Sequence, residues 1–264
     1  MYFRDTVPAS KGHLNPGAPG VSLERLTLAS ELAELVRHVW IARWDLAPGE
    51  VSVQRVLTYP AFNVVISPMG AMLFGPNPRA QTRELSGRSW VVGVLLRPAA
   101  ARLLSALPPV ELVGLSCVLA EAPRVEPEPR DRLVDALTAW LRPFAERIDE
   151  RGRTVNAVCR LAEEDTSLVR VRDLADRVKL STRSLERLVV EQVGVKPKWL
   201  IECRRLQEAA TTMHAAPRTE LTQLALHLGY VDQAHFTKRY KEVIGETPDQ
   251  TRRRALGEPS RSGG

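Results

Sequence analysis

The stretch VRDLADRVKLSTRSLERL, residues 171–188, decides the fold of the C-terminal third of the chain. Its apolar residues recur every three or four positions on both sides of Ser181, which is a typical helix N-cap. They are Leu174, Ala175, Val178, Leu185 and Leu188. The pattern predicts a helix, a tight turn and a second helix that begins at Thr182 and turns its apolar face back onto the first.

A comparable unit, LTQLALHLGYVDQAHFTKRY, occupies residues 221–240. The Leu-Ala pair recurs, Gly229 readily adopts a left-handed turn conformation, and Asp232 can cap a helix that begins at Gln233. The residues spaced to point inward from that helix are Phe236 and Tyr240. A further helix over residues 198–213 is predicted to join the two units.

Positive charge is concentrated in the same third of the chain. Residues 168–254 contain 17 Lys and Arg against 11 Asp and Glu, whereas residues 1–167 contain 19 of each. This asymmetry is typical of a nucleic-acid-binding module joined to a neutral domain. A length of 264 residues, with 44% hydrophobic and 26% charged residues, predicts two globular domains and excludes a disordered or fibrous chain.

Cysteine usage and the N-terminal residues predict a cytoplasmic protein. Cys117, Cys159 and Cys203 are too far apart for a disulfide framework or a Cys-x-x-Cys metal site. The residues after Met1 lack the layout of a signal peptide. Proline and glycine interrupt the longest uncharged stretch, residues 56–78, so no membrane partner is expected.

The N-terminal half is predicted to be β-rich. Short, β-branched runs bounded by Pro or Gly cover residues 51–57, 61–67, 70–74 and 90–96, as in a barrel or sandwich. The segment over residues 32–46 fits both a helix and a strand, and that choice stays open. Six aromatic residues could line a ligand pocket or simply fill the core: Trp40, Trp44, Tyr59, Phe62, Phe74 and Trp90.

Helical patterns dominate after this region. Residues 98–107 form a short predicted helix, and the proline-rich residues 122–130 form a predicted linker. An amphipathic helix follows, which Pro143 is expected to kink or split. The predicted division is a β-rich domain (1–122), a linker with amphipathic helices (123–167), a DNA-binding domain (168–254) and a flexible tail (255–264).

The C-terminal pattern resembles the AraC/XylS family of bacterial transcription regulators. The matching residues run from Val171 to Arg252: Leu174-Ala175, Leu180-Ser181, Leu185 with Arg187, Gly194 before Pro197, Arg204-Arg205-Leu206 with Ala209, Leu224-Ala225, Leu228-Gly229-Tyr230, Phe236, Tyr240-Lys241, and Gly245 with Thr247-Pro248. Two packing positions depart from the family pattern, which has Phe at Val189 and Tyr at Thr251.

The resemblance implies an α+β protein. A cupin-like or related β-barrel domain would sense a signal or mediate pairing, and an all-α domain would present two helix-turn-helix units joined by a long helix. Residues 35–40, 55–65 and 91–101 are similar to the N-terminal domain of one subgroup of the family. No effector-binding residue is carried over from it.

The second helix of each unit is expected to enter a major groove of double-stranded DNA, where Arg, Gln, His and Thr can contact base edges. The base-reading candidates are Thr182, Arg183, Glu186, Arg187, Gln233, His235 and Thr237. The phosphate-contacting candidates are Ser181, Lys196, Lys198, Arg204, Lys238 and Lys241. The resemblance also implies that an arginine such as Arg205 packs internally. The competing interpretation is a solvated surface in which Arg183 pairs within its own helix and His235 fills an interface.

No enzyme motif is visible, so the expectation is a non-enzyme without cofactor or metal. The five histidines include no His-x-x-x-His pair, and the chain has no Gly-x-Ser-x-Gly or Gly-x-Gly-x-x-Gly sequence. Further partners expected of such a regulator are RNA polymerase, a small-molecule effector and a second copy of the chain. The alternatives are a DNA-tethered, small-molecule-modifying β-barrel enzyme and an adaptor whose helices bind another protein.

Overall fold

The structure, a computed structural model, describes residues 18–57 and 60–257. The strands are β1 (Val21–Leu26), β2 (Val36–Asp45), β3 (Val51–Val56), β4 (Asn63–Ser67), β5 (Gly70–Phe74), β6 (Gln81–Ser86), β7 (Arg88–Leu96) and β8 (Ser116–Val118). The α-helices are α1 (Ala101–Leu104), α2 (Arg130–Ala145), α3 (Glu150–Glu164), α4 (Val171–Arg177), α5 (Thr182–Val193), α6 (Pro197–Ala215), α7 (Leu221–His227), α8 (Gln233–Ile244) and α9 (Pro248–Ala255). The expected order, a β-rich region followed by helices, is confirmed.

The strands form two antiparallel sheets. The larger has the order β1-β2-β7-β4-β5-β8, and the smaller pairs β3 with β6. Trp40 on β2 lies opposite Gly93 on β7, where an added Cβ would come within 1.9 Å of the Trp40 ring. Only glycine therefore leaves room for this indole. The four predicted strand segments correspond to β3, β4, β5 and β7, and the cupin-like type of the domain stays a prediction.

The ambiguous segment before residue 46 is a strand, so its helical interpretation is wrong. A single 3₁₀ turn, Ser30–Leu32, precedes β2. Val36 and Val39 are both buried although they are three residues apart, because the register shifts between Val36 and His38. That irregularity replaces the alternation of a regular strand with a spacing that resembles a helix.

Pro143 does not split the amphipathic helix, because it lies in the last turn of α2. Few backbone hydrogen bonds remain to be lost that close to a helix end. Buried side chains of the larger sheet, α2, α3 and the C-terminal helices belong to one continuous core. The predicted domain boundaries stay predictions. Tyr59, the residues after Met1 and the predicted tail beyond residue 257 lie outside the described residues.

The smaller sheet contacts the C-terminal end of α8. The last carbonyl groups of a helix lack partners within the helix and need donors from elsewhere. The Arg55 Nη2 of β3 donates a hydrogen bond to the Ile244 carbonyl at 2.6 Å. The Ala80 backbone N–H donates to the Val243 carbonyl at 2.7 Å. The β-rich region therefore supplies hydrogen-bond donors to the last carbonyl groups of the second predicted recognition helix.

A polar cluster surrounds Glu246, just after α8. The Thr251 hydroxyl donates to Glu246 Oε1 at 2.5 Å and lies 3.0 Å from the Tyr240 hydroxyl. Arg55 and Arg254 both form ion pairs with Glu246. Burial tends to raise the pKa of the Glu246 carboxyl, but hydrogen bonds from Arg254 and Thr251 and the two arginine charges outweigh it and lower the pKa. Thr251 is 1% exposed, so this departure from the family pattern is a packing position, as is the buried Val189.

Thr251→Val should destabilise the protein by about 1–3 kcal/mol, because it keeps the volume but removes the hydrogen-bond partner of the buried Tyr240 hydroxyl and one of the two donors to Glu246 Oε1. Thr211→Val is the matched control, since Thr211 is exposed and its hydroxyl bonds only to its own helix at Gln207. Urea unfolding followed by circular dichroism measures both free energies. Equal losses in the two variants would contradict a structural role for the cluster.

Candidate nucleic-acid interface

The first helix-turn-helix unit consists of α4 and α5. Lys179 adopts a left-handed conformation with φ of 55° in the turn between them. The Leu180 N–H then donates to the Ala175 carbonyl at 3.0 Å, and the Ser181 hydroxyl caps α5 by accepting from the Ser184 N–H. The predicted cap and helix start are confirmed. The left-handed turn residue was not predicted, because lysine carries no local signal for this conformation.

The exposed face of α5 carries all four base-reading candidates predicted for the first unit. They are Thr182, Arg183, Glu186 and Arg187. The opposite face is buried by Leu185, Leu188 and Val189. Within the described ranges, neither Arg183 nor Arg187 takes part in an ion pair, so the intrahelical pairing of the competing interpretation does not form. Both guanidinium groups are thus available at the surface, near the start of the helix.

The second unit consists of α7 and α8. Gly229 has φ of 77° and packs against Val169, where an added Cβ would lie 3.0 Å from a methyl carbon. The Asp232 carboxylate caps α8 by accepting from the His235 N–H at 2.7 Å. The predicted turn glycine and cap are confirmed. Phe236 and Tyr240, predicted to point inward, are fully buried.

The base-reading candidates on α8 are more engaged than those on α5. Gln233 is half-buried, and its Oε1 accepts a hydrogen bond from the Thr222 hydroxyl at 2.7 Å. His235 is exposed, but its ring lies edge-on to Tyr230 with the centroids 5.5 Å apart. Thr237 is half-buried. The structure brings the three residues to one end of α8, with restricted side chains.

Four of the five cationic phosphate candidates are exposed, and the fifth is not. The exposed residues are Lys196, Lys198, Lys238 and Lys241. Arg204 is 3% exposed, donates to the Leu168 carbonyl at 2.8 Å and lies 3.6 Å from the Glu208 carboxylate. Its assignment as a phosphate contact is therefore wrong, because it lies on the inner face of α6.

Arg205 lies beside Arg204 but serves a different contact. Its guanidinium stacks over the Tyr230 ring, 3.9 Å from the centroid. Burial raises the pKa of Tyr230 to about 12, although the Arg205 charge opposes the shift. The internal arginine expected from the resemblance is thus Arg204, and Arg205 packs half-buried between α6 and the turn of the second unit.

One ion pair that attaches α8 to α6 was not predicted. Arg239 donates from Nε and Nη2 to the two carboxylate oxygens of Glu202, at 2.7 and 2.8 Å. The hydrogen bond from this carboxylate is the largest of the effects that raise the pKa of Arg239. A bidentate pair of this kind fixes orientation as well as distance. Its partners are 37 residues apart, beyond the reach of any helical spacing rule.

The aromatic residues that could either line a pocket or fill the core lie in separate surroundings. Phe62 is fully buried in the core, and the Trp40 indole donates to Asn63 Oδ1 at 3.2 Å. Trp44 donates to the Ser86 carbonyl, and Phe74 lies under the guanidinium of Arg83. Across the described ranges, no group of His, Cys, Asp and Glu could hold a metal ion, and no helix is long and apolar enough to cross a membrane.

Comparison with known proteins gives two matching families. A helix-turn-helix domain matches residues 174–254, which begin within α4 and include the rest of both units. The chain shares 27% identity over 158 residues with the XylDLEGF operon transcriptional activator of Pseudomonas putida. The C-terminal third therefore carries the helix-turn-helix domain of AraC/XylS-type regulators. A domain of unknown function, DUF6597, matches residues 25–117.

The AraC/XylS match covers part of each protein. The alignment includes 56% of the chain and 49% of the activator, so the chain spans about half the length of this relative. A probable AraC family transcriptional regulator from Rhodopseudomonas palustris is 26% identical in sequence. The superposition includes 40% of this chain and 99% of the regulator's chain, with a TM-score of 0.36. ToxT from Vibrio cholerae is 13% identical. Its superposition includes 90% of this chain and 98% of the ToxT chain, with a TM-score of 0.40.

Comparing Arg187→Ala with Lys198→Ala should distinguish a residue that contacts a base from one that contacts only the DNA backbone. Arg187 is exposed one turn into α5, so its loss should cost about 1–3 kcal/mol on a preferred DNA site, selected from a random pool, and relax preference at one base pair. Lys198→Ala, at the start of α6, should weaken binding to preferred and random DNA about equally. Gel-shift titrations on both DNAs provide the measurement, and Arg132→Ala on α2 is the control. Equal losses from Arg187→Ala on the two DNAs would place Arg187 against a phosphate.

Proposed function

We propose that the protein is a non-enzymatic, sequence-specific transcription regulator that places α5 and α8 in successive major grooves of double-stranded DNA. The observation that carries this proposal is the exposed start of α5, where neither Arg183 nor Arg187 forms an ion pair within the described residues. A major groove admits one α-helix, and the residues near the start of that helix reach base edges. Because its partner is chromosomal DNA, we place the regulator in the cytoplasm.

The length of α6 supports simultaneous contact by both units. The helix has 19 residues and therefore spans ~28 Å at ~1.5 Å per residue. Successive major grooves on one face of DNA are about 34 Å apart. The packing of α5 and α8 beyond the two ends of α6 can supply the remaining separation.

The surface charge supports contact with both walls of the groove. Lys196 and Lys198 stand at the start of α6, and Lys238 and Lys241 stand on α8. All four are exposed, so they can lie against phosphates while the adjacent first turns contact bases. The relative in Pseudomonas putida is named a transcriptional activator. A regulator of this kind would meet RNA polymerase at a promoter, and a second copy would occupy an adjacent DNA site.

Binding should weaken steeply with salt. Each neutralised phosphate contributes ~0.9 to the slope of log K against log salt, so four lysine contacts predict a slope of about −3.6 or steeper. Fluorescence anisotropy of labelled DNA with the full chain, at several salt concentrations, measures this slope. Lys238→Gln should make it shallower by about one unit. A slope near zero would overturn DNA as the partner and favour the protein-binding adaptor.

One monomer should protect two major-groove segments on the same face of the duplex. The expected spacing between the centres of protection is about one helical turn, 10–10.5 base pairs. Hydroxyl-radical and methylation footprinting on the preferred site provide the measurement. His235→Ala should weaken protection of the second segment and leave protection of the first unchanged. Protection of a single groove by the wild type would mean that α8 does not enter the DNA.

A further inference from the structure

A cleft with a basic lining lies where the end of β7 meets α3, the helix that precedes the first helix-turn-helix unit. Three arginines line it, and we call it the basic cleft: Arg37 of β2, Arg97 just after β7 and Arg160 of α3. Its apolar walls include Ala61 and Leu96. The cavity volume is about 20 Å³. Space of this size holds a water-sized polar group rather than a whole organic molecule.

The charges of the basic cleft are only partly compensated. Arg37 forms a bidentate pair with Glu163, with N to O distances of 2.6 and 2.7 Å. Arg97 donates from Nε to the Ala33 carbonyl at 3.3 Å, and Arg160 is exposed. Within residues 18–57 and 60–257, neither Arg97 nor Arg160 belongs to an ion pair. Two guanidinium groups therefore share one cleft without a carboxylate of their own.

The buried amide of the cleft is already satisfied, as is the Glu163 carboxylate, which pairs with Arg37. Asn156 is 3% exposed, accepts from the Ala99 N–H at 3.0 Å, and donates to the carbonyl and the carboxylate of Glu34 at 2.8 Å. This network holds α3 against the chain after β7. Arg97 and Arg160 are therefore the groups of the cleft that can donate hydrogen bonds to the oxygens of a ligand.

Nearby groups register the excess of positive charge. The pKa of Arg97 is lowered by burial and then by the charges of Arg37 and Arg160, which outweigh the opposing carboxylates of Glu34 and Glu163. The pKa of His38 falls to about 4 because of burial and of the charges of Arg37, Arg25 and Arg97. Like charges that crowd together in this way are stabilised by an added anion.

We propose that the basic cleft binds the oxyanion group, carboxylate or phosphate, of a small acidic molecule. A guanidinium fork offers paired N–H donors that match two oxygens of either group. The small volume accepts those oxygens, and the apolar wall at Ala61 and Leu96 is left for the remainder of the ligand. The proposal adds a chemical class of effector to the proposed regulation, but the binding itself requires no DNA.

The position of the cleft explains how such a ligand could affect DNA binding. Arg160 belongs to α3, and Arg151 of the same helix forms an ion pair with Glu191 of α5. A ligand that draws Arg97 and Arg160 together therefore acts on the helix that contacts the back of the first recognition helix. Arg97 lies on the sheet side, so the ligand would connect the β-rich region with α3.

The test measures anion binding by the full chain without DNA. Thermal unfolding is followed during titration with sodium phosphate or sodium acetate, and sodium chloride keeps the ionic strength constant. We expect a saturable rise in Tm with at least one of the two anions, since a ligand that binds only the folded state stabilises it. Saturation by phosphate alone would indicate a phosphorylated ligand, and saturation by acetate would indicate a carboxylic acid.

Variants connect the effect to the basic cleft. R97Q and R160Q should each weaken the apparent affinity by about tenfold or more, which corresponds to about 1.4 kcal/mol. R132Q, which changes an exposed arginine on α2, should behave as the wild type does. Arg160 is exposed, so R160Q keeps the test valid if R97Q does not fold. No rise in Tm for the wild type, or an equal rise in R160Q, would overturn the proposal, whatever the DNA-binding result.

Discussion

The burial of α6 is the constraint on which the rest of the structure depends. Leu200, Cys203 and Leu206 are fully buried, so both helix-turn-helix units pack on one rigid element. Two polar side chains are buried with them, and each must find a partner outside the helix. Arg204 donates to the carbonyl of Leu168, and Gln207 donates to the carbonyl of Leu57 after β3, at 2.8 Å in each case. The same helix therefore fixes the DNA-binding units and the β-rich region relative to each other.

Contacts at the other side of the second unit complete this arrangement. The smaller sheet supplies hydrogen-bond donors to the last carbonyl groups of α8. Glu246 forms one ion pair with Arg55 of β3 and another with Arg254 of α9. Moving β3 away from α8 would leave these groups to find water or new partners. The position of the second recognition helix is consequently linked to the position of β3. This linkage is a physical route by which the N-terminal region can influence DNA contact.

Local signals made the helix-turn-helix units predictable, and long-range packing limited the rest. Ser181, Asp232 and Gly229 act within a few residues of themselves, so their roles as caps and turn residues follow from the sequence. Arg204 differs, because an arginine on a helix has no local mark that distinguishes an inner from an outer face. The register shift in β2 likewise arises from pairing with β7, which lies some fifty residues further along the chain. Residue type and spacing thus indicated the candidate site, and the fold excludes one predicted member, Arg204, because it is buried.

The two recognition helices are not equivalent in how freely they can read bases. The side chains of Arg183 and Arg187 make no ion pair within the described residues, so they pay only their own ordering entropy on contact with a base. Gln233 already uses its amide oxygen to accept from Thr222, which leaves its amide N–H groups as donors. A bidentate contact with adenine needs both the oxygen and the nitrogen of the amide, so it would require that hydrogen bond to break. In the proposed complex, specificity should therefore come mainly from α5, while α8 should contribute single hydrogen bonds and phosphate contacts that fix the register.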